Sequence, residues 1–132
     1  MSKLRVSPVA DDELPEAYPL VRSSLHIGLE RWLAFAQALS SIDGGVLGAR
    51  AGGGCIYGVA TFVPLPSLRY ERMLIGEVVA AIELSGAGRT RQALCTGLEE
   101  IAARLDCREL TMLCDGRADV CVPLQRGASR TI

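Results

Sequence analysis

The stretch that decides the fold reads MLIGEVVAAIELSGAGRTRQALCTGLEEIAARL, Met73 to Leu105. Met73 to Ile82 is apolar and rich in β-branched residues, and its length predicts a strand buried on both faces. Ser85 to Gly88 is a turn of small residues. From Arg89 onward the period becomes helical, with Leu94, Leu98, Ile101 and Leu105 at steps of four, three and four. A strand, a glycine turn and an amphipathic helix in this order present backbone N–H groups to an anion, because a helix N-terminus carries partial positive charge and unpaired donors. Arg89 and Arg91 add formal charge there. The stretch is therefore a candidate phosphate or pyrophosphate seat. The competing reading is a plain strand-to-helix turn whose glycines serve only conformation. Gly86 and Gly88 complete neither a dinucleotide fingerprint nor a P-loop. A P-loop ends in Gly-Lys-Ser/Thr, where this chain has Gly88-Arg89-Thr90-Arg91.

Downstream, Asp106-Cys107-Arg108 is a turn, and Glu109 to Cys114 (ELTMLC) is a further strand. Strand, helix, strand predicts a βαβ crossover with Met73–Ile82 and Glu109–Cys114 parallel. Ala118 to Gln125 could start a helix, which Pro123 opposes, and Gly127 to Ile132 reads as a frayed end.

Upstream, Pro64 to Arg72 reads as a loop carrying Arg69, Tyr70, Glu71 and Arg72. It is either an exposed connection or a substrate lip. Cys55 to Val63 and Val46 to Arg50 form a hairpin around Ala51-Gly52-Gly53-Gly54. His26 to Leu39 is a helix with a broad apolar surface, capped by Ser23 or Ser24. Trp32, the single tryptophan, fits the core, with a groove wall as the alternative. His26 fits a surface or capping position. Asp12 to Arg22 predicts a helical region broken or kinked at Pro19, and Lys3 to Val9 a short edge strand.

With 132 residues, 49% of them hydrophobic and 22% charged, the chain is long enough for one domain with its own core. A net charge of −1 gives no overall basic field for nucleic acid, and a nucleic-acid reading built on Arg89, Arg91 and Arg104 also lacks aromatics. No apolar run reaches the length of a membrane span, and the N-terminus has no signal core, so the cytoplasm is the expected location. Five cysteines without a Cys-x-x-Cys pair, beside the one histidine, make no zinc pattern. Reduced buried thiols are expected.

The order of elements and two segments resemble the GNAT superfamily of acyl-CoA-dependent N-acetyltransferases. SSIDGGVLGARAGGGCIYGVATFV is similar to that family's second and third strands. GEVVAAIELSGAGRTRQALCTGLEEIAARLDCRELTML is similar to its fourth strand, pyrophosphate loop, third helix and fifth strand. The resemblance implies an α+β (α/β) domain over residues 1–132. It would have a mixed central sheet flanked by helices, antiparallel hairpin strands first and a βαβ unit last. It implies acetyl-CoA as co-substrate, lying where the fourth and fifth strands splay. Val79, Ala80 and Ala81 would line the pantetheine arm, and Gly86, Ala87, Gly88, Arg89, Thr90 and Arg91 would hold the pyrophosphate.

Glu77 falls where some members place a carboxylate general base, and an apolar strand would raise its pKa for that work. The alternative for Glu77 is a plain strand charge. Glu83 is a second candidate for the same role. The chain departs from the family pattern in carrying Arg89 and Arg91 at loop positions usually held by glycine. No tyrosine follows Tyr70 to serve as general acid. The implied activity is acetyl transfer to an amine. The alternative is a non-catalytic GNAT-like domain binding a ligand or a partner. A homodimer is expected, because few strands follow the fifth and its edge would need cover.

Overall fold

Residues 4–83, 88–114 and 117–123 are described by a computed structural model, with backbone only for residues 114 and 117–123. β1 (Arg5–Pro8) precedes a short 3-10 turn, α1 (Leu14–Leu25) and α2 (Leu29–Ser40). Then come β2 (Gly45–Arg50), β3 (Ile56–Ser67), β4 (Glu71–Ala81), α3 (Arg89–Arg104), β5 (Glu109–Cys114) and β6 (Arg117–Pro123). The strands form one sheet in chain order. Every neighbouring pair is antiparallel except β4 and β5, which are parallel, as the strand–helix–strand order requires. The α+β mixed sheet expected from the sequence is thus present.

Each face of the sheet carries its own core. On one face, Leu94, Leu98, Ile101 and Ala102 of α3 pack on Leu47, Ala60, Leu74, Val78, Leu110 and Met112. The spacing of four and three along α3 puts these side chains on one stripe. On the other face, Leu14, Ala17 and Val21 of α1 join Trp32 and Ala36 of α2 over Val46, Ile56 and Val59. Trp32 is a core residue, 1% exposed, and its indole N–H donates to the Leu14 carbonyl at 2.9 Å. This bond ties α2 to the start of α1.

Several expectations are corrected. α1 is one helix through Pro19, not a helical region broken there. Burial of Leu14, Ala17 and Val21 outweighs the single lost backbone bond. Ser23 and Ser24 lie inside α1 and do not cap α2, whose N-cap is Gly28. His26 ends α1 in the left-handed conformation, φ 56°, which is a capping position.

Pro64 to Arg72 is not a loop. β3 runs to Ser67 and β4 begins at Glu71, with Ser67 opposite Glu71 in the register. Prolines are tolerated there because β2 pairs with β3 only as far as Phe62. Beyond that point one edge of β3 has no neighbour among the described residues, and the donors missing at Pro64 and Pro66 belong to that edge.

β4 is not buried on both faces. Leu74, Gly76, Val78 and Ala80 are buried, while Met73, Ile75, Glu77 and Val79 between them are half-exposed. In place of the helix start expected from Ala118 to Gln125, residues 117–123 form β6, which pairs with β5, and residues 124–125 lie outside the described residues. The β5 edge that was expected to need a second copy is therefore covered by the chain itself. Cys107 is buried and Cys95 half-buried, as expected of structural thiols, but Cys55 is exposed in the β2–β3 hairpin.

Candidate functional site

The site is built where β4 outruns β5. The parallel register pairs Met73 with Glu109 and continues to Val78 opposite Cys114, whereas β4 extends to Ala81. On the β3 side a bulge intervenes: Ala60 pairs with Val78 and Val59 with Ala80. Val79 therefore has no cross-strand partner in either register. A bulge breaks the alternation of side chains and turns the strand, and bulges are common beside active sites. Here Val79 packs toward the α1–α2 core and Ala81 toward the α3 core. The end of β4 is thus a short, small-residue strand segment without a β5 partner among the described residues, leading to the start of α3.

Glu77 sits at the penultimate pair of the β4–β5 register, opposite Leu113, with Thr61 as its β3 partner. It lies on the α1 face, two residues after Ile75 and two residues before the bulge. Burial pushes its carboxyl above the ordinary carboxylate range. A raised pKa strengthens a carboxylate as a base, which is the direction a general base needs.

At the far end, α3 starts from Gly88, whose φ of 69° is left-handed and suits glycine. Glycine has no side chain to cap the helix. Glu83 does that work from upstream. The Thr90 N–H donates to Glu83 Oε1 at 2.8 Å, and the Arg91 N–H donates to Oε2 at 3.0 Å. The Thr90 hydroxyl donates to the Ile82 carbonyl at 2.8 Å, stitching the first turn of α3 to the end of β4. The Thr90 N–H bond, joined by that of Arg91 and by the Arg91 charge, holds the Glu83 carboxyl below the ordinary carboxylate range. Both Glu83 oxygens accept from these helix amides, and the lowered pKa makes it a weaker base than an ordinary carboxylate. Arg89 and Arg91 are exposed at this helix start, while Thr90 is buried.

The structure thus brings Val79, Ala80, Ala81, Gly88, Arg89, Thr90 and Arg91 to one end of β4, with Glu77 a short way back along the strand. Gly86 and Ala87 lie outside the described residues. Arg69 and Tyr70 belong to the opposite tip of the β3–β4 hairpin. That tip is about 30 Å from Ala81 at strand rise, so it is no lip to this site. Sequence reasoning missed the capping role of Glu83. The missing signal is a helix start, Gly88-Arg89-Thr90, without a capping side chain of its own.

Close packing holds α3 against this strand end. A Cβ on Gly58, the β3 partner of Ala81, would lie 2.7 Å from Thr90 Cγ2 and 2.9 Å from Leu94 Cδ1. Gly58→Val is expected to lower stability by about 1–3 kcal/mol through overpacking and to displace the first turn of α3. Urea denaturation checks the first effect, and the Thr90 and Arg91 amide shifts check the second. A separate cavity of about 190 Å³, lined by Val9, Leu14, Ala36, Val46 and Phe62, lies by the start of β2. It has Asp11 and Ser40 as its polar side chains, both exposed.

Solved structures share this architecture. An aminoglycoside N-acetyltransferase, AAC(6')-Iy, solved in complex with CoA, superposes with a TM-score of 0.72 at 14% identity, covering 86% of this chain and 78% of that one. A GCN5-related N-acetyltransferase from Kribbella flavida gives a TM-score of 0.67 at 19% identity, covering 82% and 70%. The chain has the GNAT fold. A putative acetyltransferase from Salmonella typhimurium, solved with acetyl-CoA, gives 0.63 at 18% identity, covering 83% and 69%. No protein-family model and no curated protein sequence matches the chain. At these identities the likeness concerns the GNAT fold, and activity has to be argued from the site.

Proposed function

We propose that the chain is an N-acetyltransferase that moves an acetyl group from acetyl-CoA to an amine. The observation that carries this reading is the end of β4, which leaves β5 after Val78 and bulges at Val79. Two of the structures sharing the fold were solved with CoA or acetyl-CoA. Residues 79–81 would run alongside the pantetheine arm, offering backbone groups. Gly88, Arg89, Thr90 and Arg91 would face the diphosphate. The fit differs between the two parts. The strand end suits an extended amide-bearing arm, whereas the first-turn amides of α3 already hold the Glu83 carboxylate.

In this reading the acetyl thioester supplies the electrophile. Glu77 takes the proton from the attacking amine, directly or through water. As the C–N bond forms the acetyl C–S bond breaks, and CoA leaves as a thiolate that takes a proton from water. Strand N–H groups at the bulge would stabilise the charge developing on the acetyl oxygen, as preorganised dipoles do. Holding donor and amine together in one site supplies the rest of the rate.

Glu83 favours a second reading, a GNAT-like domain that no longer takes CoA and binds another ligand or a protein. Calorimetry with acetyl-CoA and with acetyl-pantetheine separates the two. The enzyme reading expects a Kd between roughly 1 μM and 1 mM, about −8 to −4 kcal/mol. Thiol release should then follow when a panel of primary amines is added. If neither thioester binds at several millimolar, the enzyme reading is overturned and the second stands.

A further inference from the structure

Helix α3 begins without a local cap, and a carboxylate seven residues before Thr90 fills the place. In an ordinary N-cap, one side-chain oxygen accepts from the N–H of the second or third helical residue. Here Glu83 takes both, one oxygen to each of Thr90 and Arg91. These are the donors that an anion at a helix start would use. A diphosphate at α3 and the Glu83 carboxylate are thus rivals for the same two amides. The rivalry is between charged groups, because the same two bonds and the Arg91 charge keep Glu83 ionised. The Thr90 hydroxyl bond to Ile82 and the burial of Thr90 fix the amides in place, so the helix start cannot simply turn aside to serve both.

Resting on the acetyltransferase reading, we propose that Glu83 determines donor preference: it competes with the donor's diphosphate for the Thr90 and Arg91 amides, so that a pantetheine thioester is held nearly as well as a CoA thioester. The pantetheine arm, which is neutral, meets no such rival along Val79–Ala81. A donor keeps most of its affinity through that arm, and the diphosphate adds little. The chain would accordingly accept acyl groups on pantetheine carriers that lack the nucleotide half of CoA.

The test is calorimetry of CoA and of pantetheine against the wild-type chain and Glu83→Gln. Glutamine keeps one acceptor oxygen for the helix start and removes the charge. Melting is expected to fall by a few degrees whether or not the competition exists, so melting does not decide. The expected result is CoA tightened by roughly two- to thirtyfold in Glu83→Gln, the range of a charge at a helix terminus, with pantetheine unchanged. Wild type should bind CoA and pantetheine within a few-fold of each other. CoA binding that is unchanged or weaker in Glu83→Gln, or a tightening shared equally by pantetheine, overturns the proposal while leaving the acetyltransferase reading intact. Binding of neither ligand to either protein overturns both. Should Glu83→Gln fail to fold, pyrophosphate titration of the ¹⁵N-labelled wild type decides. Saturable shifts of the Thr90 and Arg91 amides at micromolar pyrophosphate would show an open seat and overturn the competition, and shifts confined to high millimolar support it.

Discussion

Glu77→Gln is expected to lower kcat/KM for acetyl transfer by roughly a hundred- to ten-thousandfold, the worth of a positioned general base. Donor affinity should stay within a few-fold, because Glu77 precedes the unpaired strand end instead of lining it. The pH dependence follows from the sign of the shift. Burial raises the Glu77 pKa, so the base form appears only above the ordinary carboxylate range. The wild-type rate should rise with pH through that raised value, and the Gln variant should lose this limb. Stability runs the other way. A raised folded pKa means that the folded state favours the protonated form, and that contribution is present at low pH and lost as pH rises through the folded pKa. At neutral pH the ionised carboxylate is a burden, and Glu77→Gln should melt no lower than wild type. A stable variant with full activity would remove Glu77 from the chemistry.

The largest stability effect is expected at Trp32. It is the largest of the fully buried side chains, and it joins α2 to α1 through both its ring and its N–H. Trp32→Ala opens a cavity beneath both helices and should cost about 3–5 kcal/mol, a large share of the roughly 5–15 kcal/mol of a typical domain. Trp32→Phe keeps most of the ring and loses the bond to the Leu14 carbonyl, so it should cost less. Urea denaturation of the two variants separates packing from hydrogen bonding. Equal losses would mean that the bond, and not the ring, ties the helices together.

Much of this was legible in the sequence, for reasons that differ by element. The 4-3-4 spacing of Leu94, Leu98, Ile101 and Leu105 has one physical outcome, a helix with one apolar stripe, and the first three are buried. The strand at Glu109–Cys114 and its parallel pairing follow from the helix between it and β4. Pro64 and Pro66 misled because proline was read without knowing where β2 stops. A proline is a loop signal only if its missing donor is needed by a neighbour. β6 was missed although Asp115-Gly116 is a dipeptide that hairpins favour and Val120 and Val122 alternate beside it.

The apolar run of β4 hid its alternation. Glu77 is its one charge, and α1 covers only part of that face. At the site, Val79–Ala81 were located from resemblance, and the bulge that singles them out depends on register with β3, which no local pattern encodes. The capping role of Glu83 has no local signal. Its real partners lie seven and eight residues ahead, beyond the reach of any capping rule.

The central claim is that a thioester donor lies along the end of β4 and meets the start of α3. The most direct measurement is an acetyl-CoA titration of the ¹⁵N-labelled chain followed through its amide shifts. Saturable changes concentrated on the Val78–Ala81 amides are the expected result, with the Thr90 and Arg91 amides still held by Glu83. Changes centred instead on the cavity between Val9, Leu14, Ala36 and Phe62, or no changes at millimolar donor, would contradict it.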